Sequence, residues 1–109
     1  MRRYSRVREK LLNALHRLAT REGDVRERLR AAHWPLNQLT AQELPPELLE
    51  DWESIMHRLT RKGPERDAAG DVLNSALEHT MQSIRNSTGR AIANDIYRLY
   101  MAFVTARGL

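Results

Sequence analysis

The sequence predicts an all-α fold: a compact bundle of four to five helices, two of the helical pieces short. Three observations carry this expectation. Apolar residues recur at helical spacing in every patterned segment. No run alternates with the period of two that marks a half-buried strand. Proline and glycine interrupt the pattern at intervals of about one helix. With 109 residues the chain is expected to form one helical domain over 1–109, large enough for a single core without staples.

The first helix is expected from about Arg3 to Thr20, where Tyr4, Val7, Leu11, Ala14, Leu15 and Leu18 fall on one stripe. Gly23 stops it. Asp24-Val25-Arg26-Glu27 reads as a capping box, with Asp24 accepting a backbone N–H and Glu27 reaching back. It opens a short second helix with Val25, Leu29 and Ala32 inward. That helix is expected to end near His33, because the residue before Pro35 is pushed out of helical geometry. Leu36, Leu39 and Leu44 then pin a connection whose Thr40-Ala41-Gln42-Glu43 caps a single turn.

Pro45-Pro46 starts the clearest helix, about Pro46 to Arg61. Leu48, Leu49, Trp52, Ile55, Met56 and Leu59 cover an arc of roughly 120° there, and Glu47, Glu50, Asp51 and Glu53 lie outside it. Gly63-Pro64 ends it, and residues 64–70 read as a loop. Asp71 is expected to cap a fourth helix to about Arg85, with Leu73, Ala76, Leu77, Thr80, Met81 and Ile84 inward. Asn86-Ser87-Thr88-Gly89 is expected to break it before a last helix from about Thr88 to Ala106, although Gly89 alone would only weaken one long helix. Ile92, Ala93, Ile96, Tyr97, Leu99, Tyr100, Phe103 and Val104 cover about half the circumference of that helix, more than one core-facing stripe needs. It is either the central helix or an oligomer interface, with Ile96, Tyr97, Tyr100, Phe103 and Val104 as the candidate interface residues.

Charge is segregated along the chain. Residues 1–33 carry ten Lys/Arg against four Asp/Glu, and residues 34–109 carry eight against ten. Only Lys10 and Lys62 are lysine. Arg3, Arg6, Lys10, Arg17 and Arg21 form a stripe about 90° from the apolar stripe of the first helix. Such a stripe suits phosphates or another acidic partner, or it pairs with the acidic third helix at Glu47–Glu53. No aromatic residues interleave with these arginines, which favours pairing within the fold. A helix-turn-helix would need an exposed polar start on the last helix, and Arg90 and Asn94 supply little of one.

Catalytic and metal motifs are sparse. The five glycines are scattered and follow no strand, so there is no phosphate loop. His16, His33, His57 and His79 lack the Glu-x-x-His spacing of bundle metal sites. Glu53 and His57 share a helix face, as a solvated pair would. Ser54, Ser75, Ser83 and Ser87 have no nucleophile-elbow context. The carboxylates of Glu47–Glu53 sit on the solvent side of their helix, away from the desolvated cleft that acid–base chemistry needs. No catalytic residue, cofactor or metal is therefore expected. The absence of cysteine excludes disulfides and thiol chemistry and fits a reducing compartment. No stretch approaches the ~20 apolar residues of a membrane span, and Asn86-Ser87-Thr88 matches the N-glycosylation pattern without other signs of secretion.

The phrase Leu39-Thr40-Ala41-Gln42-Glu43-Leu44-Pro45-Pro46-Glu47-Leu48, with Asp95-Ile96-Tyr97-Arg98-Leu99-Tyr100 near the end, resembles small uncharacterised all-helical bacterial proteins. The resemblance implies a bacterial cytoplasmic setting and no activity. The expectation is a non-enzymatic interaction or regulatory module, self-associating through the last helix as a homodimer or higher oligomer, with a further protein partner open. The alternative is a nucleic-acid-binding accessory protein that uses the basic stripe. No membrane partner is expected.

Overall fold

The computed structural model describes residues 4–107. It is all-α apart from one small hairpin. Helix α1 (Ser5–Thr20) pairs with α2 (Val25–Asn37), and a 3-10 turn (Ala41–Glu43) leads into α3 (Pro46–Leu59). Strands β1 (Glu65–Arg66) and β2 (Val72–Asn74) form an antiparallel hairpin, followed by α4 (Ala76–Ser83) and α5 (Asn86–Arg107).

One core joins all five helices. α1 contributes Val7, Leu11, Ala14 and Leu18, α2 contributes Val25, Leu29, Ala32 and Leu36, and α3 contributes Leu48, Ile55 and Leu59. Met81 and Ile84 close it from the α4 side, and Leu39 and Leu44 pin the connection as expected. α5 packs on α1, α2 and α3 and sends Ile92, Ile96, Leu99 and Phe103 inward. It is thus the central helix of the bundle. That burial corrects the interface expectation for two residues: Ile96 and Phe103 belong to the core of the single chain.

The α1–α2 joint follows its sequence signals. Gly23 has φ 97°, and a Cβ there would sit 2.8 Å from Glu27 Cβ, so both backbone and space call for glycine. Asp24 Oδ1 accepts the N–H groups of Arg26 and Glu27, while the Glu27 carboxylate turns to Arg30 instead of reaching back. Thr40 N–H donates to Glu43 Oε2 at 2.8 Å, as the second cap predicts.

α2 departs from expectation by running through Trp34-Pro35 to Asn37. A proline inside a helix removes one N–H and costs about 3 kcal/mol, partly because the carbonyl four residues back loses its partner. Here that carbonyl belongs to Ala31, and Arg17 Nη1 donates to it from α1 at 3.1 Å. The neighbouring helix supplies the bond that Pro35 cannot.

The expectation of no strand is also overturned. Asp67 Oδ1 accepts the N–H groups of both Ala69 and Asp71, which closes a tight turn and draws two short segments together. Asp71 is therefore engaged in the hairpin and does not cap α4. Ser75 does, its hydroxyl accepting Glu78 N–H at 3.1 Å. Leu73, expected inward, is exposed on β2. The break between the last two helices falls at Ile84-Arg85, so Asn86–Gly89 begins α5 and the segment 71–106 holds two helices. Gly89 is where α5 meets α2: a Cβ there would lie 2.8 Å from Val25 Cγ1.

These contacts set the cost of two substitutions. Arg17→Ala should lower stability by about 1 kcal/mol through the lost carbonyl bond. In a Pro35→Ala background residue 35 regains its N–H, so the same substitution should cost distinctly less; equal costs in urea titration of the two backgrounds would refute the pairing of Arg17 with Pro35. Gly89→Ala gains about 1 kcal/mol of helix propensity, yet it should lower the urea midpoint because crowding a packed contact costs about 1–3 kcal/mol. Combined with Val25→Ala it should cost less than the two single losses added.

Candidate interaction surfaces

The basic stripe of α1 is largely occupied within the molecule. Arg6 Nε donates to Glu43 Oε1 at 2.6 Å and its Nη2 to the Gln38 carbonyl at 2.9 Å. Lys10 donates to the Gln38 side chain. Arg17 bonds Asn13 Oδ1 and the Ala31 carbonyl. Thr40 N–H, and after it Arg6, hold the Glu43 carboxyl below the usual carboxylate range. Arg21 is exposed, and its side chain has no partner among the described residues. Arg3 lies outside the described residues.

Arg6, Lys10 and Arg17 thus pair within the fold, Arg6 and Lys10 with Glu43 and Gln38 at the α2–α3 connection and Arg17 with Asn13 and Ala31. Glu50, Asp51 and Glu53 on α3 make no ion pair among the described residues. The sequence could not show this. α1 lies against α2, so its charged flank meets the end of α2 and the turn beyond it.

Among the described residues, large apolar side chains are exposed on four elements. Leu12 (50% exposed), Tyr97 (51%) and Met101 (39%) lie on α1 and α5; Trp34, Val72 and Leu73 lie on α2 and β2. On α5, Ala93, Tyr97, Tyr100, Met101 and Val104 form a stripe beside the buried one. Tyr100 and Val104 are half-buried against the core, and Tyr97 stands clear of it. On α1, Leu12, Leu15 and Ala19 form a matching stripe, and with Glu9, Asn13 and His16 they line a shallow apolar trough. The Arg8 guanidinium stands 5.5 Å from the Phe103 ring centroid, so the flank of α1 that carries Arg8, Leu12 and Leu15 is the one turned toward α5. The trough itself is lined by α1 residues alone. Sequence reasoning named Tyr97, Tyr100 and Val104 for this face and did not name Leu12 or Met101, while Leu15, placed on the core stripe, does pack against the core. The signal for Leu12 was its place next to the core stripe, one position past Leu11.

Among the described residues no group of three or more His, Asp and Glu side chains is placed to hold a metal ion. His79 Nδ1 is hydrogen-bonded to the Gly63 carbonyl at 3.0 Å, and the buried Thr80 hydroxyl accepts Lys62 N–H at 3.0 Å. Both contacts bind the end of α3 to α4. His33 is half-buried, and desolvation holds its imidazole below its ordinary pKa. No helix among the described residues is long and apolar enough to cross a membrane.

No protein-family model matches the chain, and no curated protein or solved structure matches it.

The His33 environment sets a pH dependence. Its pKa is depressed in the folded state, so the unfolded chain takes up the proton first as pH falls. Folding then loses stability below the ordinary imidazole value, and the loss is complete below the folded value. Between about pH 7 and about pH 5 the protein should lose stability relative to its His33→Gln variant, which has no proton to bind there. A constant difference in urea midpoint across that range would contradict the assignment.

Proposed function

We propose that this protein is a non-enzymatic interaction module that pairs with a second copy of itself through the exposed apolar residues of α1 and α5. The observation that carries the reading is that Leu12, Tyr97 and Met101, three of the exposed large apolar residues, lie on two helices packed against each other. Exposed apolar surface gathered in this way marks an association surface. A pair of helices with a shared apolar face completes a four-helix arrangement when it meets the same pair, and a two-fold axis makes such a contact self-complementary. Tyr97 and Tyr100 suit the contact, since each carries an apolar ring and a polar tip. A chain without cysteine suits the reducing bacterial cytoplasm in which we place this role.

Light scattering should give the mass of a dimer. Leu12→Asp with Tyr97→Asp should reduce it to the monomer while the helical circular dichroism is retained, because both positions are half-exposed and outside the core. Phe103→Asp would unfold the chain and reports nothing on pairing. A wild-type monomer at high protein concentration would falsify the self-pairing reading.

A further inference from the structure

The intramolecular bonds of the arginines leave a remainder, and that remainder is gathered in one place. Among the described residues, the side chains of Arg21, Arg61, Lys62, Arg85 and Arg90 have no hydrogen-bond or ion-pair partner. Four of the five lie outside the basic first third of the sequence.

Their location follows from how the helices run. Arg28 Nη1 donates to the Leu18 carbonyl at 3.0 Å, so α1 ends where α2 begins. Gly89 lies against Val25, so α5 begins at the same end. Arg26 Nη1 reaches the Ile84 carbonyl at 3.4 Å, so α4 ends there too. α3 runs antiparallel to α5: the Arg58–Asp95 pair, at 2.8 Å, closes one end of a cleft that also takes in Asp51 and Ala102. Arg61 and Lys62 therefore come one turn further toward the start of α5. Four chain segments thus deliver Arg21, Arg61, Lys62, Arg85 and Arg90 to one end of the bundle, with Arg26 among them.

The opposing charge at this end is small. Glu22 and Asp24 are the carboxylates of the α1–α2 joint, and Asp24 is occupied by the Arg26 guanidinium at 2.9 Å and by two backbone N–H groups. Glu27, one turn into α2, is paired with Arg30. The first turn of α5 adds donors: Asn86, Ser87, Thr88 and Arg90 are all exposed. The leading N–H groups of a helix have no intrahelical partner, and its dipole favours an anion.

We propose that this end of the bundle binds the phosphate backbone of double-stranded nucleic acid, and that Arg6, Lys10 and Arg17 of the α1 stripe, engaged within the fold, do not. Arginine matches phosphate with two parallel hydrogen bonds, which suits a phosphodiester chain. The cations are spread over four segments instead of lining a channel, as contacts to a duplex backbone require. None of the exposed large apolar residues, Leu12, Trp34, Val72, Leu73, Tyr97 and Met101, belongs to these segments. There is then no wedge for a lipid surface and no ring for base stacking. Binding through this end is independent of sequence and governed by salt. It also stands apart from self-pairing, since Leu12 and Tyr97 are not among its residues.

Fluorescence anisotropy with a labelled mixed-sequence DNA duplex two helical turns long tests this directly. Neutralising about four phosphates predicts that affinity falls on the order of 100-fold between about 50 mM and about 200 mM salt. Arg85→Glu with Arg90→Glu should weaken binding more than about tenfold. Arg85 and Arg90 are both exposed, so this variant keeps its fold, as its helical circular dichroism should show. Arg66→Glu with Arg98→Glu makes the same change in net charge elsewhere and should alter affinity less than about threefold. The proposal is overturned by absence of duplex binding at low salt, by equal losses in the two double variants, or by binding to anionic lipid vesicles with none to the duplex.

Discussion

Short helices end often, and each end leaves backbone carbonyls without an intrahelical partner. In this bundle side chains from neighbouring elements answer them. Arg17 bonds the Ala31 carbonyl, Arg28 that of Leu18, Arg26 that of Ile84, Arg6 that of Gln38, and Trp52 Nε1 that of Leu36. Each bond crosses from one element to another, so each engages a carbonyl in or just past a helix and also fixes how two elements sit. A guanidinium suits this role because it is planar, always charged and carries five donors, so one group can hold a carbonyl and a carboxylate together. Arg6 does this with Gln38 and Glu43. The predominance of arginine over lysine therefore has a structural use before any external partner is considered.

That use also determines where charge remains for other purposes. The cations of α1 with the greatest density in the sequence are the ones committed to the fold, and the uncommitted ones collect where four segments meet. The apolar surplus is placed by a different constraint. α5 is surrounded by α1, α2 and α3, which take Ile92, Ile96, Leu99 and Phe103, and Tyr97 and Met101 of its next stripe are left exposed. The two proposed surfaces share no residue. A self-paired particle would carry two basic ends, and two linked contacts on one duplex raise avidity without any new bond.

Much of the fold was legible because it is local. The inward faces of α1, α3 and α5 follow from periodicity, and Asp24 and the Thr40–Glu43 pair cap where their spacing says. What escaped depends on contacts distant in sequence or on segments too short to show a period. Two- and three-residue strands cannot display alternation, so the hairpin was invisible until Asp67 was seen to gather Ala69 and Asp71. Ser75 was hidden as a cap because Asp71, an equally good residue by type, lay four positions earlier. For the candidate surfaces, the sequence located basic residues correctly and could not say which were already engaged. Glu43, Gln38 and Ala31 become partners of α1 only through the pairing of α1 with α2.

Pro35 has a consequence for the order in which structure forms. A proline at that position would leave the last turn of an isolated α2 frayed, since the Ala31 carbonyl has no local donor. The donor, Arg17, sits fourteen residues from Ala31 on another helix. The turn from Trp34 to Asn37 is thus conditional on docking: α1 must lie against α2 before α2 reaches full length. Leu36 and the Trp52 contact depend on that turn, and through Trp52 so does the seating of α3. The chain therefore couples secondary to tertiary structure at Pro35, where a bond of α2 is completed from α1.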